Sequence, residues 1–339
     1  MYNYYGGYYP QTFNPIEAQK KLQKKSVRSV SNKVGLFVTA YFLSMYILSI
    51  AIRVITQITQ VPNTNETEFF LQIIYSVGAS LIPGVIFLLA TKDRVSDILT
   101  KTFVKPTTLF PVLMFGMGVA MLANLAAGIF DNNISLFNLK NYATQDTEGT
   151  TVIEFIMSVI STALVPAFAE EFAFRGLALN YLRKHGDAFA ILTSSLLFGA
   201  MHGNTTQIVF AFLLGLIFAF VDVKTNSIIP SVIIHFINNF YAVLSNTLVS
   251  NKVVSEEYSN IICIGLITAF SFLGLLSAIY LSKSDRGFFR LEDKTDDSYL
   301  LTFKEKISSF LVNPGAMIAL SLFTAEMIVN MIPREYLGL

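Results

Sequence analysis

Residues 34–52 read VGLFVTAYFLSMYILSIAI, an uncharged run held between Lys33 and Arg53. A bilayer core takes about twenty consecutive apolar residues as a helix, because lipid offers no partner to exposed backbone groups. The run therefore predicts a membrane-crossing helix. Outward from it, runs of the same kind recur at 71–90, 106–130, 155–169, 188–201, 203–221, 225–248 and 258–282. A further run at 307–325 is weakened by Pro314 and by Glu326 just beyond it. The expectation is all-α: a polytopic transmembrane helical bundle of about eight spans, or nine if 307–325 also crosses.

Composition leads to the same place. Of the 339 residues 53% are hydrophobic and only 14% charged, and the mean hydropathy is +0.56. A soluble domain needs more charge to cover its surface, so the apolar excess faces lipid. A net charge of +1 gives nucleic acid nothing to bind, and the lone Cys263 cannot form an intramolecular disulfide. No signal peptide is read in residues 1–33, which begin rich in tyrosine (Tyr2, Tyr4, Tyr5, Tyr8, Tyr9) and end basic.

Lysine and arginine in the short loops alternate span by span. They crowd the N-terminal tail (Lys20, Lys21, Lys24, Lys25, Arg28, Lys33), then Lys92–Lys105, Arg183 and Lys184, Lys224, and Lys283–Lys294. The loops between, at 56–70, 131–150 and 203–206, hold almost none. By the positive-inside rule the N-terminus is cytoplasmic in a multi-pass integral membrane protein, in the cell membrane if the host is bacterial. Four sections follow. Residues 1–33 are a cytoplasmic tail expected to lack fixed structure, in which 15–25 could instead lie as a basic helix on anionic lipid. Residues 34–145 carry the N-terminal spans. Residues 146–250 form a core of four helices that holds polar residues at membrane depth. Residues 251–339 carry the C-terminal spans with a charged cytoplasmic loop.

Ionisable side chains inside a span cost several kcal/mol and are functional candidates by default. Three places qualify. In Glu170-Glu171-Phe172-Ala173-Phe174-Arg175, Glu171 and Arg175 are i and i+4 in the favourable order, while Glu170 points about 100° away. Glu171 is thus expected to pair with Arg175, leaving Glu170 free for chemistry; the plainer alternative puts all three at a headgroup boundary. In Phe198-Gly199-Ala200-Met201-His202, the histidine ends an apolar run with Phe198 one turn below. A lone histidine there is more often packed or interfacial than catalytic. In His235-Phe236-Ile237-Asn238-Asn239, His235 and Asn239 share a face, and alone they read as an interhelical hydrogen-bonding pair. Spacing favours convergence. With a turn at 185–187, Glu170 and His202 lie about sixteen residues either side of it, at equal depth in an antiparallel hairpin. Pro166 is expected to kink the fourth span, or part of it to lie at the surface.

A carboxylate, two imidazoles and a carboxamide in a low-dielectric cavity suit hydrolysis. A buried carboxylate becomes a usable general base, and an amide or imidazole N–H can hold an oxyanion. Alternatively Glu170, His202 and His235 could be a Glu/His/His set for a divalent metal such as zinc with an open position for water. No HExxH and no GxSxG motif is present.

In order, Glu170-Glu171-x-x-x-Arg175, Phe198-x-x-x-His202 and His235-x-x-x-Asn239 resemble the three motifs of the CPBP family. That family comprises type II CAAX prenyl endoproteases and bacteriocin-processing or self-immunity proteins. The resemblance covers about 150–245 and implies an intramembrane endopeptidase acting on a hydrophobic or lipidated peptide or protein. It implies that Glu170 activates water with help from His202, that His235 and Asn239 hold the oxyanion, and that Glu171, Arg175 and Phe198 support them. The metal-independent form of this chemistry, requiring no cofactor, is preferred here over the metallopeptidase form. Partners would be the substrate and membrane lipid. The alternatives are a non-catalytic scaffold or immunity protein on the same fold, and a transporter using the buried Glu and His as an ion relay. No paired halves speak for the transporter.

Overall fold

Asn14 opens the first helix: its side chain accepts from the N–H groups of Ile16 and Glu17 at 3.1 and 3.3 Å. Pro15 follows at the first helical position, where its missing N–H costs nothing. The structure, a computed structural model, describes residues 14–62, 64–94, 102–136, 151–291 and 300–332. The tyrosine-rich residues 1–13, most of the 131–150 loop with the 145/146 boundary, and part of the charged loop after 291 lie outside them. Helix α1 spans Pro15–Thr59, about 67 Å, roughly twice a hydrocarbon core. The basic stretch 15–33, expected in a tail without fixed structure, is therefore the first part of α1. Val27 and Ser31 bury its inner face, and Lys20 Nζ lies 2.7 Å from Glu305.

The remaining helices are α2 (Asn65–Thr91), α3 (Pro106–Leu136), α4 (Val152–His185), α5 (Asp187–Ala200), α6 (Thr205–Thr225), α7 (Ile229–Ser250), α8 (Glu256–Ser284), α9 (Phe303–Leu311) and α10 (Pro314–Asn330). Among the described residues there is no sheet. The chain is an all-α, polytopic, integral membrane bundle, with seven helices of membrane length and apolarity among the described residues, or eight if α9 and α10 count as one. That total agrees with expectation, but its membership differs. The run at 188–201 is α5, only 14 residues long. The run at 307–325 is broken by a 68° bend between α9 and α10. The cause is local: Asn313 Oδ1 accepts from Ala316 N at 2.9 Å and Pro314 starts a new helix.

Helix α4 continues through Pro166 by changing its winding. Pi-helical turns at Val159–Leu164 and Phe172–Leu179 flank an α-helical stretch, Val165–Glu171, that carries both glutamates. Such turns take an extra residue per hydrogen-bonded loop and shorten the element a little, and Val152–His185 is one continuous helix across Pro166.

Glycines set the closest crossings. A Cβ on Gly35 of α1 would overlap the backbone of Gly315 on α10, and one on Gly118 of α3 would meet Gly274 of α8. In lipid, where apolar surface has nothing to gain from burial, close packing of this kind holds helices together. One apolar cluster joins α1, α2, α4, α5 and α10 (Phe37, Phe42, Phe174, Phe198, Phe323). A second joins α3, α6, α7 and α8 (Met117, Met121, Phe218, Ile234). The site lies where they meet.

Polar contacts sort the loops into two ends. Arg183 reaches Asn226 at 3.5 Å, Asn226 reaches Thr102 at 3.1 Å, and Lys224 donates to the carbonyls of Gly287 and Arg290. Opposite them, Asn65 donates to Glu154 at 2.7 Å and Asn330 to the Gly203 carbonyl at 3.0 Å.

Candidate active site

Glu170 and Glu171 end the α-helical stretch of α4, so they point in different directions and meet different surroundings. The Glu171 side chain has no solvent exposure and Arg175 about 1%. Glu171 Oε1 accepts from Arg175 Nη1 at 3.1 Å and from His235 Nδ1 at 3.0 Å. The pair is enclosed by protein on every side. The Arg175 guanidinium lies over the rings of Phe198 (4.3 Å) and Phe218 (5.2 Å), and Nη2 approaches the Gly215 carbonyl at 3.4 Å. Aromatic faces and a carbonyl thus take the place of water around a buried cation.

Glu170 instead faces a cavity of about 290 Å³. The cavity wall also holds Phe198, His202, His235 and Asn239, so one space receives residues from α4, the turn after α5, and α7. His235 Nε2 lies 4.0 Å from Glu170 Oε2, and its ring stacks on Phe218 with centroids 5.3 Å apart. His202 Nδ1 lies 2.8 Å from the Phe198 carbonyl. A carbonyl and a salt-bridged carboxylate only accept, so both histidines carry hydrogen on Nδ1 and turn Nε2 to other use. The turn that holds His202 needs Gly203 at φ +61°, and a Cβ there would strike Glu326 of α10.

Asn239 Nδ2 donates to the Thr162 carbonyl at 3.2 Å. The interhelical-bond reading of His235 and Asn239 is therefore also true of them, since each ties α7 to α4. Cavity residues that the sequence reading passed over are Asn124 on α3, which donates to Asn238 Oδ1 at 3.0 Å, together with Gln207 and Tyr241. Asn124 is the only polar side chain in the run 112–130, and that isolation is the signal that could have marked it.

Among the described residues no group of three or more His, Cys, Asp and Glu side chains could hold a metal ion. Glu170, His202 and His235 share the cavity wall and are not such a group.

Fold and site together define a class: a polytopic helical membrane protein with a carboxylate, imidazoles and carboxamides enclosed at a helix junction. Residues 152–241 match the family model for Type II CAAX prenyl endopeptidase Rce1-like. The match runs from the start of α4 to Tyr241 of α7, a little over a quarter of the chain, and includes the two glutamates, Arg175, both histidines and Asn239. No curated protein and no solved structure matches the chain.

Proposed function

We propose that the chain is an integral-membrane endopeptidase that hydrolyses a peptide bond in a hydrophobic or lipidated peptide or protein. The observation that carries this reading is the single cavity shared by Glu170, His202, His235 and Asn239, inside the stretch similar to a prenyl-endopeptidase family.

The gap of 4.0 Å between Glu170 Oε2 and His235 Nε2 is too long for a hydrogen bond and suits a bridging water. Glu170 takes a proton from that water as its oxygen bonds to the scissile carbonyl carbon, and His202 Nε2 is a second acceptor for the same water. The oxyanion that forms receives the Asn239 Nδ2–H not used by Thr162. It also receives His235 Nε2–H when the ring carries both protons. Glu170 then returns the proton to the amide nitrogen as the C–N bond breaks. No step passes through a metal. Phe198, Phe210 and Leu214 give the cavity apolar walls suited to a hydrophobic substrate. The loop charges orient this machinery with the N-terminus and the Arg183 end in the cytoplasm.

The test is Glu170→Gln in purified full-length protein reconstituted in liposomes, read against hydrophobic and prenylated peptides. The loss expected for removing a general base is about 10²–10⁴-fold in kcat. Undiminished cleavage by the folded variant overturns the reading. Exhaustive chelation is expected to leave activity intact; loss that added zinc restores would instead establish the metal form.

A further inference from the structure

Three carboxamides stand in line along one wall of the cavity. Asn124 Nδ2 donates to the Ala120 carbonyl at 3.1 Å and to Asn238 Oδ1 at 3.0 Å. Asn238 Nδ2 donates to Asn239 Oδ1 at 3.3 Å, and Asn239 Nδ2 donates to the Thr162 carbonyl at 3.2 Å. The direction of this line is not free. Both ends are backbone carbonyls, which only accept, so turning any one amide over sets oxygen against oxygen or N–H against N–H. Each amide nitrogen has two hydrogens. Asn124 uses both, whereas Asn239 uses one and keeps the other for the cavity.

An oxyanion needs an N–H in that place, and an amide turned over would offer a carbonyl oxygen of similar shape and the wrong polarity. Two holds decide which. The Thr162 carbonyl accepts from the Asn239 nitrogen; the Asn239 oxygen is held by Asn238, and the Asn238 oxygen by Asn124. We propose that Asn124, on α3 and outside the stretch matched by the family model, is a positioning residue: through Asn238 it fixes the Asn239 amide with its N–H toward the substrate oxyanion. This inference rests on the peptidase reading.

The experiment uses full-length protein in liposomes and a peptide that the unsubstituted protein cleaves and Glu170→Gln does not. Asn239→Ala sets the reference, a kcat loss of about 10²–10³-fold for one lost oxyanion donor. Asn124→Asp keeps the shape and removes the donor. Asn238 then turns its N–H to the new carboxylate and its oxygen toward Asn239, and kcat falls about tenfold or more while KM stays within about twofold. A direct substrate contact would move KM instead. The Asn124→Asp/Asn239→Ala double variant falls no further than Asn239→Ala, because both act through one amide. Should Asn124→Asp fail to fold, Asn124→Ala gives the same pattern with a smaller kcat loss. Unchanged kcat in either folded variant, or losses that multiply in the double variant, overturns the role of Asn124. An inert Asn239→Ala removes the donor and this proposal with it. Cleavage by Glu170→Gln would instead remove the peptidase reading itself.

Discussion

Arg175 shows how much of the site is support. It touches Glu171, Phe198, Phe218 and the Gly215 carbonyl, and it lies beneath the cavity wall. Removing one member of a buried ion pair leaves the other unpaired at a cost of about 3–5 kcal/mol. Arg175→Met is therefore expected to lower the unfolding temperature in detergent sharply, and Arg175→Lys to rescue little, because an ammonium cannot stack flat on two rings. A Glu171→Gln/Arg175→Met double variant should be more stable than Arg175→Met, a comparison that thermal melts can make directly. The pairing itself was legible in the sequence, since i and i+4 spacing places the two side chains together on a helix of either winding. The line from Asn124 was not. Asn124 and Asn238 are 114 residues apart, and nothing local to either names the other.

At the scale of elements, Pro166 joins winding to chemistry. It lies where the π turn that carries the Thr162 carbonyl gives way to α-helix, and Pro166→Ala restores an N–H with which that turn can rewind. Stability is expected to hold or rise, since proline within a helix costs about 3 kcal/mol, while kcat falls several-fold as rewinding shifts the Thr162 carbonyl that anchors Asn239. A melt and a rate measured on one preparation check both; a slower and less stable variant would contradict this account. The glycine crossing of α1 and α10 offers a second test at this scale. Gly35→Val forces a side chain into the Gly315 backbone and should lower stability by about 1–3 kcal/mol. Hydropathy made the long spans readable, as with α2 and α8, because length alone decides them. It could not show that α5 stops at 14 residues or that Asn313 splits the last run, since a cap and a tight turn outweigh the apolar average around them. The π turns of α4 left no mark in the sequence beyond Pro166.

For the whole molecule, the two sets of loop contacts make orientation a single yes-or-no question. In a background where Cys263 is replaced, Lys184→Cys is expected to react with a membrane-impermeant thiol reagent only after the cytoplasmic face is exposed. Asn251→Cys, at the other end of α7, should react on intact cells. The reverse pattern would invert the orientation read from lysine and arginine. The short α5 has a wider meaning for how the molecule meets its bilayer. It rises about 21 Å, less than a hydrocarbon core of about 30 Å, so α5 by itself does not match a bilayer of full thickness and the longer helices packed around it do. On the peptidase reading, the water for hydrolysis has to reach the turn bearing His202 past those longer helices. That path lengthens with the thickness of the surrounding lipid, so turnover in vesicles of increasing acyl length should decline while the melting temperature changes little. The membrane would then act as a regulator of water supply as well as a solvent for the substrate.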